Sequence, residues 1–277
     1  MILDFHTHIF PPDVITKRDD FLDDTAFSLL YAPSKSRIAD DSDLLIYLDD
    51  NSIDHAVAMS FPWHTQKFCS LHNEYMAAVM QQHSGRVWCF GMVAVNSGRG
   101  QIKQQVREIK SAGLAGIGEL GFYTEGFTRA NAEFTRYVLE AAGSESLPVC
   151  LHVNEPVGHM YSGKYAPRLD ELFIILKEFR EVKVILSHWG GGLFVYELMP
   201  EVKEALRNVW YDTAATPYLF KNGIYDSAVA AAGAEKFLFG SDFPLLGIKR
   251  YTEALNTQDA AVREMIMYKN AAAILGL

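Results

Sequence analysis

Short apolar runs and amphipathic stretches alternate along the whole chain. Eight of the runs predict strands: Ile2–Phe5, Ala56–Ser60, Val87–Val95, Ala115–Leu120, Pro148–Val153, Val182–Ser187, Val209–Thr213 and Phe237–Ser241. Runs this apolar suit strands buried on both faces. Between them, apolar positions recur at the helical period: Leu44/Leu45/Leu48, Leu71/Tyr75/Val79, Ile102/Val106/Ile109, Phe134/Val138/Ala141 and Leu169/Leu172/Phe173/Leu176. Each set makes one buried stripe. The alternation has no Pro/Gly-rich linker and no low-complexity break, so it predicts an α/β fold, a single-domain (β/α)8 TIM barrel over residues 1–277. A doubly wound open sheet is the alternative. The stretch from Tyr251 to Leu277 is longer than one crossover helix and predicts an eighth helix plus a final one near Asn270–Leu275 on the barrel exterior. Pro11–Asp40, with three prolines and no clear period, predicts a long first loop over the barrel mouth.

Charge and cysteine usage narrow the classes. With 25 basic against 34 acidic residues the net charge is −9, which disfavours a nucleic-acid groove or an anionic membrane surface. No run approaches the ~20 apolar residues of a membrane span, and no basic flank with a hydrophobic region marks a secretory leader. Cys69, Cys89 and Cys150 are odd in number, widely spaced and set in apolar context. That usage predicts reduced, buried thiols in a cytoplasmic protein.

Chemistry collects at predicted strand ends. His6 and His8 alternate on the first strand, so both rings lie on one face ~6.6 Å apart along the backbone and can close on one ion. Glu119 ends the fourth strand, His152 the fifth; His188 follows the sixth and Asp242 the eighth. In a parallel barrel these ends converge on one axial site. His55, His72 and His83 instead fall at a strand start or in helices, outside that pattern.

Asp4-Phe5-His6-Thr7-His8, His152, Ser187-His188-Trp189-Gly190-Gly191-Gly192 and Gly240-Ser241-Asp242-Phe243-Pro244, in that order, resemble the signature of the amidohydrolase superfamily, in particular its amidohydrolase-2 branch of metal-dependent hydrolases and decarboxylases. The resemblance implies a (β/α)8 barrel with His6, His8, His152 and Asp242 around a divalent metal. It gives His188 as a second-metal ligand or as a catalytic base or orienter. Glu119, in Gly118-Glu119-Leu120, is similar to the bridging Glu of TatD-type hydrolases and tilts the expectation toward two ions; a supporting or surface role for it stays open.

The expected cofactor is therefore one or two divalent ions per chain, zinc first, held by His6, His8, Glu119, His152, His188 and Asp242. The expected activity is hydrolysis of a small organic ester, lactone or amide by a metal-activated water, with Asp242 and His188 as catalytic groups. Non-oxidative decarboxylation is the alternative; a phosphoester hydrolase or a non-catalytic barrel ranks lower. Trp63, Asn154, His159, Tyr161, Lys164 and Trp189 are candidate substrate contacts, although Trp63 could equally pack beneath the first loop. Asp4 could support the ligands or be a strand-edge charge. Gly158 to Lys164 has P-loop spacing, but Tyr165 replaces the Ser/Thr and Pro167 interrupts a following helix, which excludes nucleotide hydrolysis. The expected partner is a small molecule, and a homo-oligomer is compatible with the sequence.

Overall fold

A computed structural model describes residues 1–277. Eight parallel strands pair in chain order: β1 Leu3–His8, β2 His55–Met59, β3 Val87–Gly91, β4 Gly116–Leu120, β5 Val149–Leu151, β6 Val184–Leu186, β7 Val209–Asp212 and β8 Phe237–Leu238. The ring closes beyond the end of β8, where Phe5 N donates to Phe239 O (2.8 Å), Asp242 N to His6 O (2.9 Å) and His8 N to Phe243 O (2.7 Å). The seam of this (β/α)8 barrel therefore runs through the stretch that carries His6, His8 and Asp242.

The strands sort their side chains into two cores. Leu3, Phe5, Val57, Met59, Phe90, Cys150, Ile185 and Leu238 fill the barrel interior. Their outward neighbours join a larger cluster under helices such as Gln66–Gln82, Arg99–Ser111 and Arg129–Glu145. No helix is long and apolar enough to cross a membrane. Cys69, Cys89 and Cys150 are buried and free, as expected of packing residues.

Three expectations need correction. The apolar run from Val87 leaves the sheet after Gly91, because Met92 N finds Asn73 Oδ1 (2.8 Å) and Ala94 N finds Gln105 Oε1 (2.8 Å) on the flanking helices. An apolar run alone cannot reveal that change of partner. The helix Asn270–Leu275 does not lie on the barrel exterior: Ala271 and Ile274 join the interior cluster, and Lys183, just before β6, donates to the Ile274 carbonyl. It plugs the N-terminal end of the barrel.

The third correction concerns residues 11–40, which hold short helical segments at Pro12–Thr16, Arg18–Phe21 and Thr25–Tyr31. These are too short to show a period. Phe10, Phe21, Phe27 and Tyr31 form an aromatic layer with Phe61 and Trp63.

His72 supports that layer from the helix Gln66–Gln82. Its Nε2–H donates to the Ile9 carbonyl (2.8 Å) and its Nδ1 accepts from the Trp63 indole (3.0 Å). Burial pushes this imidazole down from 6.5 to about 4, so it folds neutral. The unfolded chain takes up a proton near 6.5 that the folded chain refuses until about 4. Its contribution is thus whole above the higher value and lost as pH falls toward the lower, roughly 3 kcal/mol in total. In urea titrations of metal-free protein, stability should fall more steeply over this window for the parent than for His72→Asn. Parallel profiles would remove His72 as an acid-sensitive group.

Candidate metal centre

One extra residue in β1 creates the histidine pair. Asp4 pairs with Ala56 but Thr7 with Ala58, so three steps on β1 face two on β2. This bulge lets Phe5 and His6 both turn inward, and His8 follows at the next inward position. Beside them, a Cβ on Gly240 would lie 2.6 Å from His6 Cβ, so only glycine leaves room for the ring. β4 repeats the device: Ile117 pairs with Val149 and Leu120 with Leu151, which turns Glu119 inward. Gly118 meets Cys150 there, with 2.6 Å between a built Cβ and the cysteine's.

The sixth strand delivers His188 through a left-handed turn. His188, Trp189, Gly190, Gly191 and Gly192 all have positive φ, between 54° and 93°. L-residues disfavour this region, and the three glycines make it affordable. A side chain at Gly191 would meet the Asn154 carbonyl at 2.4 Å, so the turn also needs glycine to pack against the end of β5. His188 N donates to Asp212 Oδ1 (2.9 Å) and its Nδ1–H to the Ala214 carbonyl (3.1 Å), leaving Nε2 facing the axis.

All six expected ligand residues meet. His6 Nε2 and His8 Nε2 lie 2.9 Å apart, and each is 3.8 Å from a Glu119 oxygen. Asp242 Oδ1 is 3.7 Å from the first nitrogen and 3.5 Å from the second. On the other side of Glu119, His152 Nδ1 is 3.0 Å and His188 Nε2 3.6 Å from Oε1. His6, His8 and Glu119 form one compact donor group; Glu119, His152 and His188 form another.

Asp212 is the residue that sequence reasoning missed. It ends Val209-Trp210-Tyr211-Asp212, the same position that drew attention to Glu119, and the same rule would have found it. His6 Nδ1–H donates to Asp212 Oδ2 (2.7 Å), which fixes the tautomer and leaves the Nε2 lone pair aimed at the centre.

The electrostatics call for a cation. Burial alone would lower the His6 pKa, but the charges of Asp212 and Glu119 outweigh it and raise it to about 10. For His188 burial likewise opposes, and the hydrogen bond and charge of Glu119 raise it to about 9. Burial opposes ionisation of Glu119 too, yet the His152 and His6 charges hold it well below the ordinary carboxylate range. Burial, then the charge of His6, pushes His8 down. Glu119, Asp212 and Asp242 thus concentrate negative charge that favours a cation, a proton on His6 or a metal ion in its place, where the two imidazole Nε2 atoms converge. Nitrogens bound to one ion at ~2.1 Å would lie ~3.0 Å apart at a right angle and ~3.4 Å apart at a tetrahedral one, so the pair at 2.9 Å is near the spacing of an octahedral divalent ion.

Above the centre lies a cavity of about 870 Å³. His8, Glu119, His152, His188 and Asp242 form its floor; Tyr31, Phe61, Tyr123, Tyr161 and Tyr218 supply aromatic wall. His159 and Tyr161 line it. Asn154 and Lys164 stand behind the wall instead. Asn154 Nδ2 lies 2.9 Å from His152 Nε2 and donates to Tyr161 OH (3.0 Å), while Lys164 is bound to Glu155 Oε1 (2.5 Å) and to the Val157 and His159 carbonyls. Trp63 and Trp189 do not face the cavity. Trp63 is sealed in the first-loop aromatic layer, and Trp189 donates to Thr216 Oγ1 (2.9 Å) while packing on Tyr225 and Phe237. A bulky residue at a strand end can turn to either side of the barrel wall, and sequence spacing does not choose. Lys35, Arg37 and Arg250, unremarked in the sequence, stand exposed at the cavity's edge and form no ion pair.

Similar solved structures share this architecture. The 5-carboxyvanillate decarboxylase of Sphingomonas paucimobilis superposes with a TM-score of 0.76 at 15% identity, covering 100% of this chain and 99% of that one. A dihydroxybenzoic acid decarboxylase of Polaromonas sp., with bound manganese and 2-nitroresorcinol, gives 0.71 at 15% identity, over 100% and 97%. The IDCase of Metarhizium anisopliae gives 0.74 at 17%, again over 100% and 97%. No curated protein sequence matches. The model of the amidohydrolase family, in its amidohydrolase-2 form, matches residues 3–277, and the chain belongs to that family.

Proposed function

We propose that the protein is a divalent-metal-dependent, non-oxidative decarboxylase of a small aromatic carboxylic acid. The observation that carries this reading is the cavity: aromatic walls and three cations free of any ion pair, Lys35, Arg37 and Arg250, over the histidine and carboxylate floor. The walls suit a flat ring and the cations suit an acid. The decarboxylase neighbours, two of them named for ring-borne carboxylates, support the same class, so decarboxylation moves ahead of the hydrolysis expected from Glu119.

His6, His8, Glu119 and Asp242 would hold the ion, with His152 and His188 as the further donors. Zinc and manganese both suit imidazole and carboxylate donors, and manganese is the ion bound in the Polaromonas neighbour. When bound, the ion supplies positive charge that holds the substrate's acidic oxygens and stabilises the charge developing on the ring. Breaking the ring–carboxylate bond releases carbon dioxide and leaves the electron pair on carbon, where a proton must arrive. Asp242 and His188 both face the cavity and are the groups that deliver it. Tyr123, whose hydroxyl donates to Glu119 Oε2 (3.2 Å), helps hold that carboxylate in place.

Hydrolysis is the second reading, favoured by Glu119 lying between two histidine sets as a bridging carboxylate would. A panel of hydroxybenzoic acids, esters and lactones separates the two. Metal-loaded protein should release carbon dioxide from one or more of the acids. Acid release from esters or lactones alone would reverse the order. Buried free cysteines fit a reducing, cytoplasmic setting.

A further inference from the structure

We propose that Tyr47 is a positioning residue for the metal centre, acting through Asp4; the inference rests on the reading that His6, His8 and Asp242 hold the ion. Neither residue lines the cavity. Tyr47 lies in the helix Asp41–Asp50 and stacks on Phe243, with ring centroids 4.6 Å apart and planes at 19°. Its hydroxyl donates to Asp4 Oδ2 (3.0 Å) and accepts from Ile248 N (3.0 Å). The other oxygen of Asp4 accepts from Ser241 N (2.8 Å) and from His6 N (3.3 Å).

Those bonds meet at the barrel seam. Ser241 precedes Asp242, and Asp242 N donates back to the His6 carbonyl (2.9 Å). The Asp4 carboxylate therefore grips the backbone of one histidine ligand and the residue before the carboxylate ligand. Tyr47 holds that carboxylate and, through Ile248 and Phe243, the segment whose Leu245, Leu246, Gly247 and Arg250 line the cavity. Without the hydroxyl, a fully buried Asp4 oxygen and the Ile248 amide lose their partner, and buried polar groups cannot stay unpaired without local shifts. A shift there moves His6 against Asp242, so metal affinity should respond more than overall stability.

The test is competition between the protein and a chromophoric chelator for Mn²⁺ or Zn²⁺, run beside thermal unfolding of the metal-free protein. Tyr47→Phe keeps the stack and removes only the hydroxyl; Asp4→Asn is the second variant. Tyr75→Phe serves as the control, since it deletes a comparable hydroxyl, bonded to Asp41 (2.9 Å), away from the centre. The expected result is a 10- to 100-fold weaker metal affinity for Tyr47→Phe, by order of magnitude as for other outer-shell partners. Tyr75→Phe should match the parent in affinity, and the metal-free midpoints of the two tyrosine variants should be similar. Parental affinity in Tyr47→Phe overturns the proposal, as does an equal affinity loss in Tyr75→Phe. A parent that binds no ion would remove the metal centre itself, and the proposal with it.

Discussion

The double variant His6→Ala/His8→Ala is expected to fold and to lose its divalent ion. Both Nε2 atoms converge at 2.9 Å, and Asp212 holds the His6 ring in the tautomer that leaves its nitrogen free. Truncation therefore removes two donors from one coordination sphere. The loss should far exceed the ~10- to 100-fold typical of outer-shell changes. Elemental analysis of purified protein checks this, with circular dichroism as the folding control. Stoichiometric metal in the folded double variant would mean that the ion sits elsewhere, on Glu119, His152 and His188.

The second large effect belongs to Asp242. Its carboxylate is close to the Nε2 atoms of both His6 and His8 and still borders the cavity. Asp242→Asn keeps an oxygen for coordination but cannot carry a proton. Metal should be partly retained while turnover falls by ~10² or more. Glu119→Gln adds a discriminating arm: with Glu119 as one ligand of a single ion the parent holds one ion per chain and the variant binds it more weakly, whereas a centre bridged by Glu119 falls from two ions to one. Near-parental turnover in Asp242→Asn would leave proton delivery to His188.

Much of the barrel is legible in the chain because a strand covered on both faces must be apolar throughout, and helices between such strands show a single stripe. The candidate ligands are legible for a related reason: polar metal-binding types placed where apolar runs stop have few structural uses, and the topology gathers them. What stayed hidden depends on partners distant in sequence. Nothing local marks the extra residue in β1 that turns Phe5 and His6 to the same side, since strand periodicity assumes strict alternation. Tyr47 reads as one more apolar position of a helix, yet its hydroxyl finds Asp4 across 43 residues. Trp63 and Trp189 stand next to His64 and His188 in sequence but turn into the wall. The short helices within 11–40 bury aromatic side chains without ever completing a recognisable period.

Glu119 shows how one residue can carry two readings. As a motif it points to hydrolysis; in place, it is a carboxylate between two histidine sets below an aromatic, cation-edged cavity. The chemistry then depends on what replaces the departing group at carbon. Turnover of a hydroxybenzoic acid panel by metal-loaded protein in D2O, with gas and product analysed by mass spectrometry, tests this most directly. The account predicts one carbon dioxide released per product and one deuteron at the carbon that lost its carboxylate. An ester or lactone cleaved with solvent oxygen in the acid formed, and no carbon dioxide from any panel member, would contradict it.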